Sequence, residues 1–416
     1  MLSLTDEERA LASGEAGEAM AIAMRIVAET GRLMGAERLI PIASSHIDGA
    51  LYHGDSGTLF AEKLVETGAK VAVPTTLNVG GLDLACGVKT RLSPHEHDMA
   101  GRLMHAYEAM GCAPTWTCAP YQAGHRPALG SDVAWGESNA VAFCNSVLGA
   151  RTNRYGDFLD IACAIAARAP RYGLHIPANR RATFVLDCSL LSAELRGSDM
   201  FWPVVGTLFG QEAGTAIGAV TGLAGFATED RLKAFGAAAA SAGAVGLFHI
   251  VGVTPEAPDL ASIRASEAPL PTIPVTPERL AKARAGLSTT SEMRVDAVAI
   301  GSPHCSADEL RMVIRLLAGR ICRVPFYACT GRHALLALTP PERQALIDGG
   351  VTLVTDTCIV VTPILAAIRG VLVTNSGKFA HYAPGNTGYA VRYASLAECV
   401  ESAVSGEMAP EGAAWL

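Results

Sequence analysis

The sequence predicts an α/β protein of more than one domain. Short apolar runs repeatedly end in polar loops marked by Gly or Pro, and they alternate with stretches of helical periodicity. The 416 residues also exceed what a single core usually fills. Half of the residues are hydrophobic and 18% are charged, with abundant Gly and Ala, which suits a compact enzyme better than a disordered or fibrous chain.

In chain order, the first ~40 residues read as helix from the spacing of Ala, Met, Ile and Leu, and Thr5 with Glu8 forms a capping box at its start. Leu39-Ile40-Pro41-Ile42 leads into the polar Ala43-Ser44-Ser45-His46-Ile47-Asp48-Gly49. A helix over about Ser56 to Thr67 is followed by a short strand, Lys70-Val71-Ala72-Val73, ending in Pro74-Thr75-Thr76-Leu77-Asn78-Val79-Gly80. A long helix near His97 to Met110 precedes a strand at Pro114 to Cys118. The helix-like frame Trp135 to Ala150 carries Ser138, Asn139, Asn145 and Ser146, polar groups that need partners or a ligand. Ala234 to Val251 is too weakly apolar to span a membrane and reads as buried helix and strand.

Prolines crowd the segment from Pro255 to Ser291, which reads as a linker. Beyond it, Val295 to Ile300, Pro325 to Ala328, Thr352 to Thr355 and Val371 to Val373 read as strands, with helices at Asp308 to Leu317 and Pro340 to Asp348. The expected domains are therefore 1–130, 131–285 with the Pro-rich linker at its end, and 286–416.

A net charge of −7 with no Lys/Arg run excludes a phosphate-backbone footprint, so no nucleic acid is expected. The start of the chain lacks the basic-then-apolar pattern of a leader, so a cytoplasmic protein without membrane attachment is expected. Eleven cysteines form no Cys-x-x-Cys pair, and their odd number argues against a complete disulfide framework. Cys144, Cys163, Cys188, Cys322 and Cys399 read as buried small hydrophobes.

Other cysteines sit beside turn residues at strand ends. Cys118 lies in Thr-Cys-Ala-Pro, Cys305 in Gly301-Ser302-Pro303-His304-Cys305-Ser306, and Cys358 in Asp356-Thr357-Cys358. Soft thiolates from distant loops suit iron or an iron–sulfur cluster, and buried unligated thiols are the alternative. The segment Thr374-Asn375-Ser376-Gly377-Lys378 follows an apolar run, the place where open α/β sheets collect ligands. His46 and Asp48, with His53 nearby, offer acid and base groups, while Lys378, Arg151 and Arg154 offer anion binding. The donors from Arg151 to Asp157 form either a carboxylate clamp or a solvated loop, and His95, His97, His105 and His333 read as surface or structural.

Taken together, these segments resemble the catalytic, large subunit of aconitase X, a branch of the aconitase superfamily. The likeness rests on Ser45 to Gly49, Val73 to Gly80, Thr117 to Tyr121, Asn145 to Arg154, Asp356 to Cys358 and Thr374 to Lys378, in that order along nearly the whole chain. It implies an aconitase-like architecture of α/β domains around a central cleft, and an iron-dependent hydro-lyase. The resemblance implies mononuclear iron or a small cluster, with Cys118, Cys305 and Cys358 as the expected ligands. Bacterial members are similar to cis-3-hydroxy-L-proline dehydratases, which give Δ1-pyrroline-2-carboxylate, and archaeal relatives dehydrate phosphomevalonate. The implied catalytic residues are His46, Asp48, Lys378 and Ser376; substrate binding is expected from Ser45, Thr76, Asn78, Asn145, Ser146, Arg151, Asn153, Arg154 and Asn375. A separate small swivelling subunit is expected, since the chain ends at Leu416 soon after its C-terminal domain. The sequence departs from the pattern at Ser302, where some relatives are expected to place a cysteine, and Cys86 is another unusual thiol near a functional loop. The alternatives are another hydroxy acid as substrate, or an inactive binding or regulatory subunit.

Overall fold

Strand-forming runs too short to stand alone are paired in parallel and covered by helices on separate sheets, as the alternating grammar requires. The computed structural model describes residues 2–410, so the last six positions of the expected C-terminal domain lie outside it. Contacts divide the chain into two units, Met1–Leu82 with Leu92–Arg181, and Asp83–Arg91 with Ala182–Leu416. Position 130 thus falls inside the first unit, and position 285 inside the second. Among the described residues, no helix is long and apolar enough to cross a membrane.

In the first unit, β1 (Leu39–Pro41) pairs antiparallel with β5 (Arg168–Pro170). Strands β2 (Ser45–Ile47), β3 (Thr75–Leu77) and β4 (Ala134–Trp135) form a three-stranded parallel sheet in the order β3-β2-β4. Met24, Val27, Ile47, Leu77, Leu103 and Ile161 belong to its core. The N-terminal helical stretch is two helices, Asp6–Ser13 and Glu18–Leu33, and the Thr5–Glu8 capping box is present.

Two expected strands of this unit shift. The ladder starts after Pro74 because Pro74 has no N–H to give it, so Lys70–Val73 stays irregular, with Val71 and Ala72 bonded instead to Met110 and Ala164 carbonyls. Pro114–Cys118 makes no strand: the left-handed φ of 44° at Trp116 breaks the extension, and only Ala113 bridges to Thr76.

The second unit holds two parallel sheets. Strands β6 (Phe184–Asp187), β7 (Gly218–Thr221), β8 (His249–Ile250) and β9 (Thr272–Pro274) run in the order β8-β7-β6-β9. Strands β10 (Ala297–Cys305), β11 (Phe326–Thr330), β12 (Val351–Val354), β13 (Val371–Thr374) and β14 (Ala390–Tyr393) run in the order β12-β11-β10-β13-β14. The expected C-terminal strands and helices are all found here, within a few residues. The Pro-rich segment is not a linker, because Pro274 ends an edge strand and Pro277 opens the helix Pro277–Ala285, which packs on Phe201–Ala213.

Candidate active site

Parallel register assembles the first cluster. His46 on β2 pairs with Thr76 on β3 and with Trp135 on β4, so the three side chains stand in one row on one face of the sheet. His46 Nδ1 lies 2.9 Å from Thr76 Oγ1, and the same oxygen lies 2.6 Å from Nδ1 of His125, which arrives on the loop after Cys118. Both imidazoles pack on the Trp135 indole, with centroids 5.4 and 4.9 Å away. Burial, then the neighbouring His125, lowers His46 to about 3, while Glu137 and Thr76 oppose the shift. Burial lowers His125 to about 4. Each ring leaves a buried Nε2 without a protein partner.

Two residues further along each strand, Asn78 Nδ2 donates to Asp48 Oδ1 at 2.5 Å, and Asn78 Oδ1 is buried without a partner. Asp160 fixes the turn that carries Asp48: its Oδ2 accepts the N–H groups of Asp48 and Gly49 at 2.7 and 3.1 Å, and its Oδ1 that of Ile161 at 2.7 Å. Burial pushes the Asp160 carboxyl up to about 8 against the pull of those three donors. Gly136 makes room for this turn, since a Cβ there would lie 2.8 Å from the Asp48 Cβ.

Several expected binding residues are committed to the chain itself. Asn145 exchanges hydrogen bonds with Thr152 and accepts from Arg180, which makes it a brace for the loop that follows a π-helical turn at Cys144–Leu148. Asn153 bonds Tyr172 and Leu174 main-chain groups, and Ser45 donates to the Ala134 carbonyl at 2.6 Å. Ser146 is buried, Arg154 is exposed, and half-buried Arg151 has a buried Nε without a partner. Cys118 is buried, and its carbonyl accepts from Asn139 at 2.7 Å.

The second cluster lies at the carboxyl ends of β10 to β13. Chain order runs outward from β10 to β12 on one side, while β13 and β14 lie on the other, so the order reverses between β10 and β13. Ligands collect at such a switch point. There Ser376 caps the helix Gly377–Thr387, accepting from Phe379 N at 3.0 Å and donating to the Ser302 carbonyl. Asn375 and Ser376 line a small cavity together with Lys233, Ser302 and Cys305. Cys358, in the loop after β12, accepts a hydrogen bond from Cys329; that bond, a backbone N–H at Val360 and the nearby Lys378 charge hold its thiol below the usual range despite burial. Burial pushes Cys144 and Cys163 up instead.

Sequence reasoning left out His125, Asp160 and Cys329, and it read His333 as surface or structural. The ring of His333, half-buried and lowered to about 4 by burial, has two buried nitrogens without partners. Of these residues, only Cys329 had a legible signal, as a thiol at a strand end like Cys118 and Cys305. Cys322, expected inside, is partly exposed, whereas Cys144, Cys163, Cys188 and Cys399 are buried.

Models of the first, second and third domains of aconitase X match residues 1–178, 182–285 and 295–405. The chain is 42% identical to a cis-3-hydroxy-L-proline dehydratase of Pseudomonas aeruginosa, over 98% of this chain and 71% of that one. It is 39% identical to the phosphomevalonate dehydratase large subunit of Methanothermobacter thermautotrophicus, over 92% of this chain and 94% of that one. The crystal structure of holo-form aconitase X from Thermococcus kodakaraensis superposes with a TM-score of 0.85 at 33% identity, covering 97% of this chain and all of that one. With three domain models in order and relatives this similar across nearly its whole length, the chain belongs to the aconitase X family.

Proposed function

We propose that this chain is the large subunit of a hydro-lyase that removes water from cis-3-hydroxy-L-proline to give Δ1-pyrroline-2-carboxylate. The observation that carries this reading is the near-whole-length likeness to two proteins named cis-3-hydroxy-L-proline dehydratase, at 42% and 38% identity. Phosphomevalonate is the second reading, supported by the 39% identity to a phosphomevalonate dehydratase large subunit. That large-subunit name also supports a small partner subunit. The free cysteines among the described residues support a reducing, cytoplasmic setting.

Iron remains part of the proposal, with Cys118, Cys305 and Cys358 as its ligand set. Among the described residues, no three His, Cys, Asp or Glu side chains gather as a metal-holding group. What supports iron is the donor chemistry in the second unit, where the Cys358 thiol is held toward the thiolate by Cys329 and Lys378. Iron held there would supply a Lewis acid for the departing hydroxyl.

The rest of the work falls to side chains. In the second unit, Lys378 and the N-terminus of Gly377–Thr387 offer positive potential for a carboxylate, with Asn375 beside them and Ser376 holding the helix start to Ser302. In the first unit, Arg151 and Arg154 are the cationic candidates, Thr76 and Asn78 offer polar groups, and His46 and Asp48 serve proton transfer. Fixed donors of this kind lower barriers that develop charge by several kcal/mol.

The test is anaerobic co-expression with a separately encoded small subunit, followed by an assay of water loss from cis-3-hydroxy-L-proline and phosphomevalonate and by iron quantification. Turnover of the hydroxyproline with bound iron is expected. Turnover of phosphomevalonate alone transfers the reading to the second substrate, and a complex with neither iron nor turnover overturns the enzyme reading.

A further inference from the structure

We infer that His46, Thr76 and His125 form a tautomer-switching proton relay that carries one proton from His125 to a ligand at His46 Nε2, an inference that rests on the dehydratase reading above. The geometry carries it. Two imidazole nitrogens, at 2.9 and 2.6 Å, contact one hydroxyl oxygen. Thr76 has a single hydroxyl proton, so it can donate to only one of the two rings, and the relay requires it to accept an N–H from the other. In the relay one ring carries its proton on Nδ1 and the other on Nε2.

The distal nitrogens make this arrangement more than a packing motif. His46 is fully buried, and its Nε2 has no protein partner. Burying an imidazole nitrogen unpaired is costly, so a structural histidine is expected to satisfy both. Trp135 Nε1, on the same row, and Asn78 Oδ1, just beyond β3, are likewise buried without partners. His125 is the outer member, less buried than His46 and set in the exposed-to-intermediate stretch 122–130.

The step balances without an imidazolium. As the C3–O bond of the substrate breaks with its electron pair on oxygen, the His46 Nε2 proton passes to that oxygen and makes water. The Thr76 hydroxyl proton moves to His46 Nδ1, the His125 Nδ1 proton moves to Thr76, and His125 Nε2, buried as the ring stands, takes a proton from a water admitted through the partly exposed loop that carries it. The C2 proton leaves to the site's base and returns to solvent, its bonding pair forming the C2–C3 double bond of an enamine, which becomes the Δ1-pyrroline by losing its N–H proton and gaining one at C3. Both rings are neutral before and after with their tautomers exchanged, in keeping with burial that disfavours their charged forms.

Thr76→Val keeps the branched shape and removes the hydroxyl, and Thr76→Ser restores it. Nitrogen-15 NMR of histidine-labelled protein at neutral pH is expected to show His46 and His125 in opposite tautomers, a pairing lost in Thr76→Val and regained in Thr76→Ser. Like tautomers in the wild type overturn the relay whatever the substrate proves to be. With the active complex, kcat is expected to fall about tenfold or more in Thr76→Val and recover in Thr76→Ser. Its dependence on the D2O fraction should be curved in the wild type, as for several protons in motion, and straight in Thr76→Val. Unchanged kcat and curvature in Thr76→Val overturn the relay, whereas absence of wild-type turnover on either acid sinks the dehydratase reading and leaves the tautomer test to decide.

Discussion

Arg332 grips Asp356 through two parallel hydrogen bonds, Nε to Oδ1 at 2.7 Å and Nη2 to Oδ2 at 2.8 Å, two residues before Cys358. Asp356 is fully buried and holds a left-handed φ of 60°, which a non-glycine residue adopts only when its surroundings enforce it. The preceding residue is pinned too, since Thr355 N and Oγ1 both donate to Asp83. The Cys358 loop is therefore set by side-chain clamps. Arg332→Ala leaves a buried carboxylate unpaired and is expected to cost about 3 kcal/mol, less if solvent enters by the partly exposed arginine. Urea denaturation measures this, and Arg332→Lys should recover only part of it because an ammonium cannot make the two-pronged contact. A midpoint unchanged in Arg332→Ala refutes the clamp.

The turn at Asp48 depends on space as much as on hydrogen bonds. In Gly136→Ala the new methyl would lie 2.8 Å from the Asp48 Cβ and 3.0 Å from the Tyr155 carbonyl, a backbone atom that cannot swing away. The expected loss is about 1–3 kcal/mol, as for overpacked cores. Asp160→Ala, which strands three N–H groups, is expected to cost a similar amount by the unsatisfied-donor route. Because both changes act on one turn, the double variant should lose less than the sum, and strict additivity in thermal denaturation argues against a shared mechanism.

The pH dependence of the first unit follows from its buried histidines. His46 and His125 are lowered from 6.5 to about 3 and 4, chiefly by burial, so between those values the unfolded chain binds more protons than the folded one. Their contribution to stability is fully present above about pH 6.5 and is lost as pH falls through the folded values. His125→Gln removes one of the two groups. The stability difference between wild type and His125→Gln should therefore shift in the variant's favour between pH 7 and pH 5. A constant difference across that range contradicts a buried neutral ring.

The alternation of strands and helices was legible because parallel strands buried on both faces read as continuous apolar runs, as Val371–Val373 and Ala297–Ile300 do. Strand ends as the seat of polar groups followed from the same grammar, and Asp48 and Asn78 do meet just beyond β2 and β3, whereas His46 and Thr76 meet inside those strands. What stayed hidden depends on register and on loops. His125 lies in a Gly- and Pro-rich stretch with no periodicity, and only the row Thr76–His46–Trp135 gives it a partner. Asn145 and Asn153 read as ligand donors because polarity in a helix-like frame demands partners, and main-chain groups supplied them. Nothing in a single sequence separates those two ways of satisfying an amide.

Lys233 was invisible for the same reason, one residue before the stretch Ala234 to Val251 that reads as buried helix and strand. Its Nζ contacts Asp230 Oδ1 at 2.8 Å, Glu309 Oε2 at 2.5 Å and the His304 carbonyl at 3.1 Å, with the side chain almost wholly buried. Burial alone lowers an ammonium, yet the Glu309 and Asp230 charges outweigh it and raise Lys233 above its ordinary value. The network ties the helix Glu229–Ala242 to the end of β10 that carries Cys305. Lys233→Met keeps the length and strands two carboxylates, so a loss of about 3 kcal/mol is expected at neutral pH. Glu309 in the wild type is held up mainly by its burial, and without the ammonium it loses the charge that opposes that burial. In Lys233→Met it should therefore take up a proton more readily as pH falls, which relieves the unpaired charge. The deficit of the variant should shrink between pH 7 and pH 5, whereas a deficit that grows on acidification would show that Lys233 stabilises the end of β10 by packing instead of charge.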